Sequence, residues 1–311
     1  MTQLYKFIKD NSATFPITVM CSELKVNTSC YYAWNRGETY VLSSLKVEQE
    51  KSIEKVFTEH NSCYGAARLV PALVEQGVKV GLYRVRSVMK KIGLRAIQPK
   101  SFTPKTTDPT DDRLRKAYLL ENKVVSHPNE VLVGDITYLR MQNNKFLYLA
   151  TWIDMYSRMV VGWHLDDNMR ADIVISALNN ALGKRNTSKG LIIHTDGGKQ
   201  YIDKDFKSIL TKHKFEQSMT RKDNHYDNAM AESWFSRLKT EKIRGRIFQT
   251  KEEANSVIFE YIEQYYNRKR LHSSLGMMSP TAYEEKYELR CKENAKANVN
   301  CPCKSPMETA Y

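Results

Sequence analysis

The sequence predicts an α/β fold: a mixed five-stranded sheet covered by helices, preceded by small all-α modules. Three observations predict it. Up to residue 98 the apolar residues recur at helical spacing. From about Asn129, short β-branched runs alternate with turn residues. After Ala171 helical and strand patterns take turns, which calls for a layered core of sheet and helix.

Residues 1–40 read as a small helical module of helix-turn-helix type. Val19, Met20, Leu24, Val26, Tyr31 and Trp34 supply one apolar side for two short helices, and Asn27-Thr28-Ser29 offers a cap for the second. Residues 41–98 read as a second helical domain, basic and suited to DNA. One helix is expected over residues 42–59. A second starts near Tyr64, is kinked or restarted at Pro71 and ends at Gly77. A third spans Leu82–Ile92, with Leu82, Val85, Val88, Met89 and Ile92 inward, Arg84, Arg86, Lys90 and Lys91 outward, and Gly93 as its stop. A basic third helix after a short turn suits a major groove. Residues 99–128 form a linker and entry segment, opened by the proline- and threonine-rich PKSFTPKTTDPTDD.

The core is placed at 129–245. Val131–Arg140, Lys145–Asp154 and Met159–Leu165 read as strands, joined by turns at Gln142-Asn143-Asn144 and Tyr156-Ser157-Arg158 into an antiparallel meander. A helix follows over Ala171–Leu182, then a strand at Leu191–His194, a helix over Asp203–His213 and a fifth strand at Phe215–Met219. A long helix starts near Tyr226 or Asp227. By analogy, that order is the ribonuclease-H-like one. Residues 246–290 are expected to extend the core as helices, and 291–311 to be a disordered tail.

At 311 residues and 41% apolar content the chain is long enough for several domains with real cores. Its formal charge of +13 points to a polyanionic partner. From Gln76 to Thr107 there is no acid but eight bases: Lys79, Arg84, Arg86, Lys90, Lys91, Arg95, Lys100 and Lys105. A run of ~18 apolar residues is lacking, so no membrane partner is expected. The six scattered cysteines fit a reducing interior, and Cys301-Pro-Cys303 lacks the second pair a structural zinc would need.

Three acids carry the chemistry. Asp135 lies inside an apolar strand, where a carboxylate is costly unless paired or bound to metal. Asp196 ends a second apolar run at a Gly-Gly turn, and Glu232 rides the long helix, with thirty-five residues between the two. Carboxylates on two strand positions and one helix can converge at one end of a sheet and hold two hard cations ~4 Å apart. Asn228, four residues before Glu232, and Lys239, seven after it, share its helix face, while Arg237 and Lys242 extend basic charge beyond it, so that all four are expected to line a path for DNA. His194 reads as a packing or hydrogen-bonding residue, since hard cations prefer oxygen.

The stretches GDITYLR, FLYLATWIDMYSRMVVGWHL, GLIIHTDGGKQY, DNAMAESWFSRLKTE and YYNRKRLHSSLGMMSPTAYEEKY resemble the OrfB-type transposases of the insertion-sequence-3 family, which share the DDE integrase catalytic core. The resemblance covers nearly the whole chain. It departs from the family pattern at Leu132, near Gly197 and between Tyr64 and Leu69. It implies that Asp135, Asp196 and Glu232 are both catalytic and metal ligands, with two Mg²⁺ or Mn²⁺ ions, and that Lys239 contacts DNA. The Tyr266–Leu275 stretch is a family hallmark in which Arg268, Lys269, Arg270 and His272 could grip phosphates.

The resulting expectation is a DNA transposase that cleaves at insertion-sequence ends and joins the freed 3′-hydroxyl to target DNA. It would act as a homo-multimer on DNA, with an OrfA partner or fusion, in the bacterial cytoplasm at the nucleoid. Two other readings stand beside it. One is a ribonuclease-H-like nuclease that hydrolyses without joining. The other is a DNA-binding regulator of transposition with a silent core.

Overall fold

The computed structural model describes residues 2–37, 44–98, 116–221 and 225–296. Most of the predicted linker, the end of the tail, Cys301 and Cys303 lie outside the described residues. The chain divides into two compact units, Met1–Arg95 and Ala96–Tyr311.

In the first unit, α1 (Thr2–Asp10), α2 (Ile17–Glu23) and α3 (Thr28–Asn35) bury Tyr5, Ile8, Met20, Cys21, Val26 and Tyr31 together. The Asn27 side chain accepts from the Ser29 N–H at 2.9 Å, so the expected cap of α3 forms. Helix α1 was not foreseen, because only Tyr5 and Ile8 of its largely polar turns are buried. Then come α4 (Ser44–Glu59), α5 (Ala66–Glu75) and α6 (Leu82–Ile92). Pro71 sits inside α5 without breaking it. It lies in the second turn, where the ring forfeits a single backbone hydrogen bond. Helix α6 buries Val85, Val88 and Met89 and ends at Gly93 with φ +75°. Leu82 and Ile92, expected inside, are exposed at the two ends of that face.

Among the described residues of the second unit, β1 (Val131–Arg140), β2 (Phe146–Asp154), β3 (Val160–Asp166), β4 (Ile192–Thr195) and β5 (Glu216–Met219) form one sheet in the order β3-β2-β1-β4-β5. The first three are antiparallel, and β4 and β5 run parallel to β1. This is the ribonuclease-H-like arrangement. Alternation splits β1 between two cores. Val131, Val133 and Leu139 face α10 (Ala229–Leu238) and α11 (Lys251–Phe259). Leu132 faces α7 (Ala171–Lys184), α8 (Lys199–Ile202) and α9 (Lys204–His213). Gly134 has no side chain on that second face because the Trp152 ring lies where a Cβ would stand.

Helix α10 runs straight into a π-helical turn at Lys239–Ile243, and α11 into another at Glu260–Tyr266. Helix α12 (Pro280–Lys296) continues through residues 291–296, so the expected tail begins later than the sequence suggested. No helix among the described residues is long and apolar enough to cross a membrane.

Candidate active site

Strands β1 and β4 pair in parallel from Val131↔Ile192 to Val133↔His194. Continued two residues, that register brings Asp135 alongside Asp196, on the face of the sheet that α10 covers. The charge of Asp196 acts on Asp135, so the two carboxylates lie within electrostatic reach of one another. Asp135 is half-buried and accepts the Ile136 N–H at 2.8 Å. The Asn228 side chain donates to it as well. Asp196 accepts the Gly198 N–H at 3.0 Å through the tight turn that follows β4.

Helix α10 lays Ala231, Trp234, Phe235 and Leu238 on the sheet. That packing fixes its opposite edge. Asn228 stands at its N-cap but does not cap it, turning instead to Asp135. Glu232, one turn on, is exposed, and its charge reaches Asp135. Lys239 begins the π-helical turn, within electrostatic reach of Asp135, with its ammonium 4.9 Å from the centre of the Tyr138 ring. Burial lowers its pKa, and Asp135 opposes that. π-Helical turns often mark functional sites, and this one sets the cation at the mouth of the acidic pair.

Burial, then repulsion from Asp196 and Glu232, pushes the Asp135 carboxyl up to about 8, against the pull of the Ile136 N–H and Asn228. Among the described residues no three His, Cys, Asp or Glu side chains already converge as a ligand set. The linkage has a definite sign. Between the ordinary aspartate value and about 8 the folded chain holds a proton that the unfolded chain has released, so stability falls as pH rises through that window. In EDTA the protein is therefore expected to melt lower at about pH 9 than at about pH 6, and Asp135→Asn to shrink the difference. Thermal melts of both proteins check this; an equal pH dependence in the variant would contradict it.

His194 is fully buried, with Nδ1 2.9 Å from Ser218 Oγ and Nε2 3.1 Å from the Asp227 carbonyl oxygen. Burial lowers its pKa. A carbonyl only accepts, so the neutral ring carries its proton on Nε2. It ties β4 and β5 to the start of α10, the packing role expected of it. The Asp227 carboxylate is gripped by Arg221 at 3.1 Å, which stacks over Tyr118. A second strand aspartate, Asp154, accepts the N–H groups of Asn129, Tyr156 and Ser157 and serves the β2–β3 turn.

The expected DNA contacts separate into two groups. Arg86 and Lys90 are exposed on α6, and Arg268 and Lys269 after the second π-helical turn. Arg84 and Lys91 instead bind Glu50 at 3.1 and 2.9 Å and tie α6 to α4. Lys242 pairs with Glu260 at 2.8 Å, and Arg237 lies within electrostatic reach of Tyr266 and Arg158. The reading of Arg270 and His272 as phosphate grips is corrected, because they are only 1% and 2% exposed. Arg270 binds Glu241 at 2.6 Å, and Tyr261 donates to the same carboxylate at 2.9 Å. Burial alone would depress the guanidinium; Glu241 outweighs it and raises its pKa.

The acids also have two neighbours that the sequence did not single out. Thr151, on β2, is the cross-strand partner of Asp135, and Tyr201, on α8, is held beside Asp196 by the short turn. The one sequence signal for Thr151 is a polar residue set between the apolar Ala150 and Trp152 of a strand.

Integrase core domain families match residues 125–225 and 232–287, and an HTH-like domain family matches 44–102. The chain is 36% identical over 284 residues to transposase InsF of insertion sequence IS3A from Escherichia coli K12, covering 91% of this chain and 98% of that one. It is 38% identical over 248 residues to the transposase of insertion sequence element IS904 from Lactococcus lactis IL1403, covering 78% and 97%. Among solved structures, the HTLV-2 integrase catalytic core domain in complex with magnesium is similar at 16% identity and a TM-score of 0.40, over 51% of this chain and 97% of that one.

Proposed function

The chain belongs to the transposases of the insertion-sequence-3 family, and from that premise we propose which of its residues carry the reaction. It is a DDE-type polynucleotidyl transferase that acts in DNA transposition and integration. Asp135, Asp196 and Glu232 are its catalytic carboxylates. The observation that supports this assignment is the parallel pairing of β1 with β4, which carries Asp135 and Asp196 toward one end of the sheet, where the charges of Asp196 and Glu232 both reach Asp135.

The same residues fit a divalent metal. Asp135 is destabilised as an anion by burial and then by its two acidic neighbours, which a bound cation would offset. Asn228 Oδ1 is buried without a hydrogen-bond partner beside them. Hard oxygen donors select Mg²⁺ or Mn²⁺, and two such ions held by the three acids would supply charge neutralisation for in-line displacement at phosphorus. The chain's own part is positioning. Asn228 and the Ile136 N–H orient Asp135, the Gly198 N–H orients Asp196, and Lys239 offers a cation to the DNA backbone next to the acids.

Labelled insertion-sequence ends incubated with target plasmid and Mg²⁺ test the reading. Joined strand-transfer products are expected. Hydrolysed ends alone would replace it with a nuclease, and bound but uncut ends with a regulator. The protein acts as a homo-multimer on DNA, and adding OrfA to the same assay shows whether that partner is required.

The domain at 41–98 grips the duplex, with Arg86 and Lys90 facing it. Changing both to Gln is expected to reduce the slope of log affinity against log salt by about 2, at ~0.9 for each phosphate left without its cation. Changing Arg84 and Lys91, which Glu50 occupies, is expected to leave the slope nearly unchanged. Filter binding across a salt series measures both; equal effects from the two pairs would move the DNA-facing side of the helix.

A further inference from the structure

Two buried hydroxyls beside the acids have no hydrogen-bond partner: Thr151 Oγ1 and the Tyr201 phenol oxygen. Their residues are only 1% and 2% exposed. A buried unsatisfied hydroxyl costs stability that a methyl or a bare ring would not. Neither lies at random. Thr151 is directly opposite Asp135 in the β1–β2 ladder, on the face that α10 covers, where facing Cβ atoms stand ~5 Å apart. Tyr201 sits against the turn that orients Asp196. A Cβ at residue 198 would be 3.0 Å from Asp196 Oδ1 and 3.5 Å from the edge of the Tyr201 ring. The ring is locked by Trp152 and Phe206 at 6.1 and 5.7 Å between centres, and its backbone carbonyl accepts from Gln217 at 2.6 Å. Thr151 thus stands opposite one carboxylate in the ladder, the Tyr201 phenol lies within electrostatic reach of both Asp196 and Asp135, and an ionised carboxylate accepts about four hydrogen bonds.

We propose that Thr151 and Tyr201 are positioning residues for the metal site, their hydroxyls donating to the Asp135 and Asp196 carboxylates once these turn to hold a divalent ion. The inference rests on the assignment of those two acids as ligands. It explains why polar atoms are kept where apolar ones would pack more favourably: they are satisfied only in the loaded state. Groups that orient metal ligands are commonly worth 10–100-fold in metal affinity.

Thr151→Val and Tyr201→Phe remove the hydroxyls and little else. In the full-length protein at fixed pH, each is expected to weaken Mn²⁺ binding by about tenfold or more in calorimetry. Each is also expected to melt at or above the wild-type temperature in EDTA, because an unsatisfied buried group is gone. Thr151→Ser, which keeps the hydroxyl, is expected to bind Mn²⁺ within about threefold of wild type, a rescue that a packing role would not produce. Mn²⁺ affinity unchanged in both hydroxyl-free variants would overturn the proposal. So would a lowered melting temperature in EDTA, since the hydroxyls would then be satisfied without metal. Asp135→Asn separates this from failure of the underlying assignment. If that variant binds Mn²⁺ as tightly as wild type, the acids are not the ligands. If it loses binding while the hydroxyl-free variants do not, only the positioning role falls.

Discussion

Replacing Asp135, Asp196 or Glu232 singly by its isosteric amide is expected to lower strand transfer by ~10³-fold or more, while affinity for DNA ends stays within about twofold. A thousandfold corresponds to ~4 kcal/mol of transition-state stabilisation, the scale expected when one charge is removed from a site that works by charge neutralisation. The three sites should also differ in stability. Asp135 is the acid destabilised as an anion by burial and by its acidic neighbours. Asp135→Asn should therefore melt as high as wild type, or higher, in EDTA near neutral pH. Loss of activity with stability kept or gained marks a site built for function rather than for folding. Any of the three variants retaining strand transfer within about tenfold would remove that residue from the catalytic set.

The second large effect lies away from the chemistry. Glu241 lies in the π-helical turn that begins at Lys239, and it accepts from the Arg270 guanidinium at 2.6 to 3.1 Å and from the Tyr261 hydroxyl. Arg270 is nearly inaccessible and lies against the Tyr266 ring. Glu241→Ala would leave that guanidinium buried and unpaired, and is expected to cost about 3–5 kcal/mol. Urea unfolding followed by the fluorescence of Trp152, Trp163 and Trp234 reads it. The double variant Glu241→Leu, Arg270→Met should recover most of the loss, because the penalty comes from the orphaned charge rather than from the missing attraction. A loss below ~1 kcal/mol in the single variant would show that the ion pair contributes little. The basic family hallmark is thus in part an internal brace between two π-helical turns.

That brace shows where the sequence stops being legible. Arg270 and Glu241 are twenty-nine residues apart, and Arg84 and Lys91 are thirty-four and forty-one from Glu50. A run of bases looks like a phosphate-binding surface until such distant partners are known. The sheet was legible for the opposite reason. Strand β1 runs over Val131–Arg140 as its alternating β-branched residues predict, and the short turns leave the meander little choice. The shared face of Asn228, Glu232 and Lys239 was legible because helical spacing is local, although the π-helical turn that begins at Lys239 was not. Local hydrophobic patterning carries no signal for one extra residue per turn. Thr151 escaped notice because its importance comes from being opposite Asp135, a fact of register rather than of spacing.

The central claim is that Asp135, Asp196 and Glu232 close around divalent ions. The most direct test is a crystal of the protein bound to its DNA ends and soaked in Mn²⁺, with anomalous scattering used to locate the ions. Two peaks within coordination distance of the three carboxylates, each lost in the Asp135→Asn or Asp196→Asn protein, are the predicted result. Ordered DNA at the site with manganese bound elsewhere, or with no peak between those carboxylates, would contradict the account.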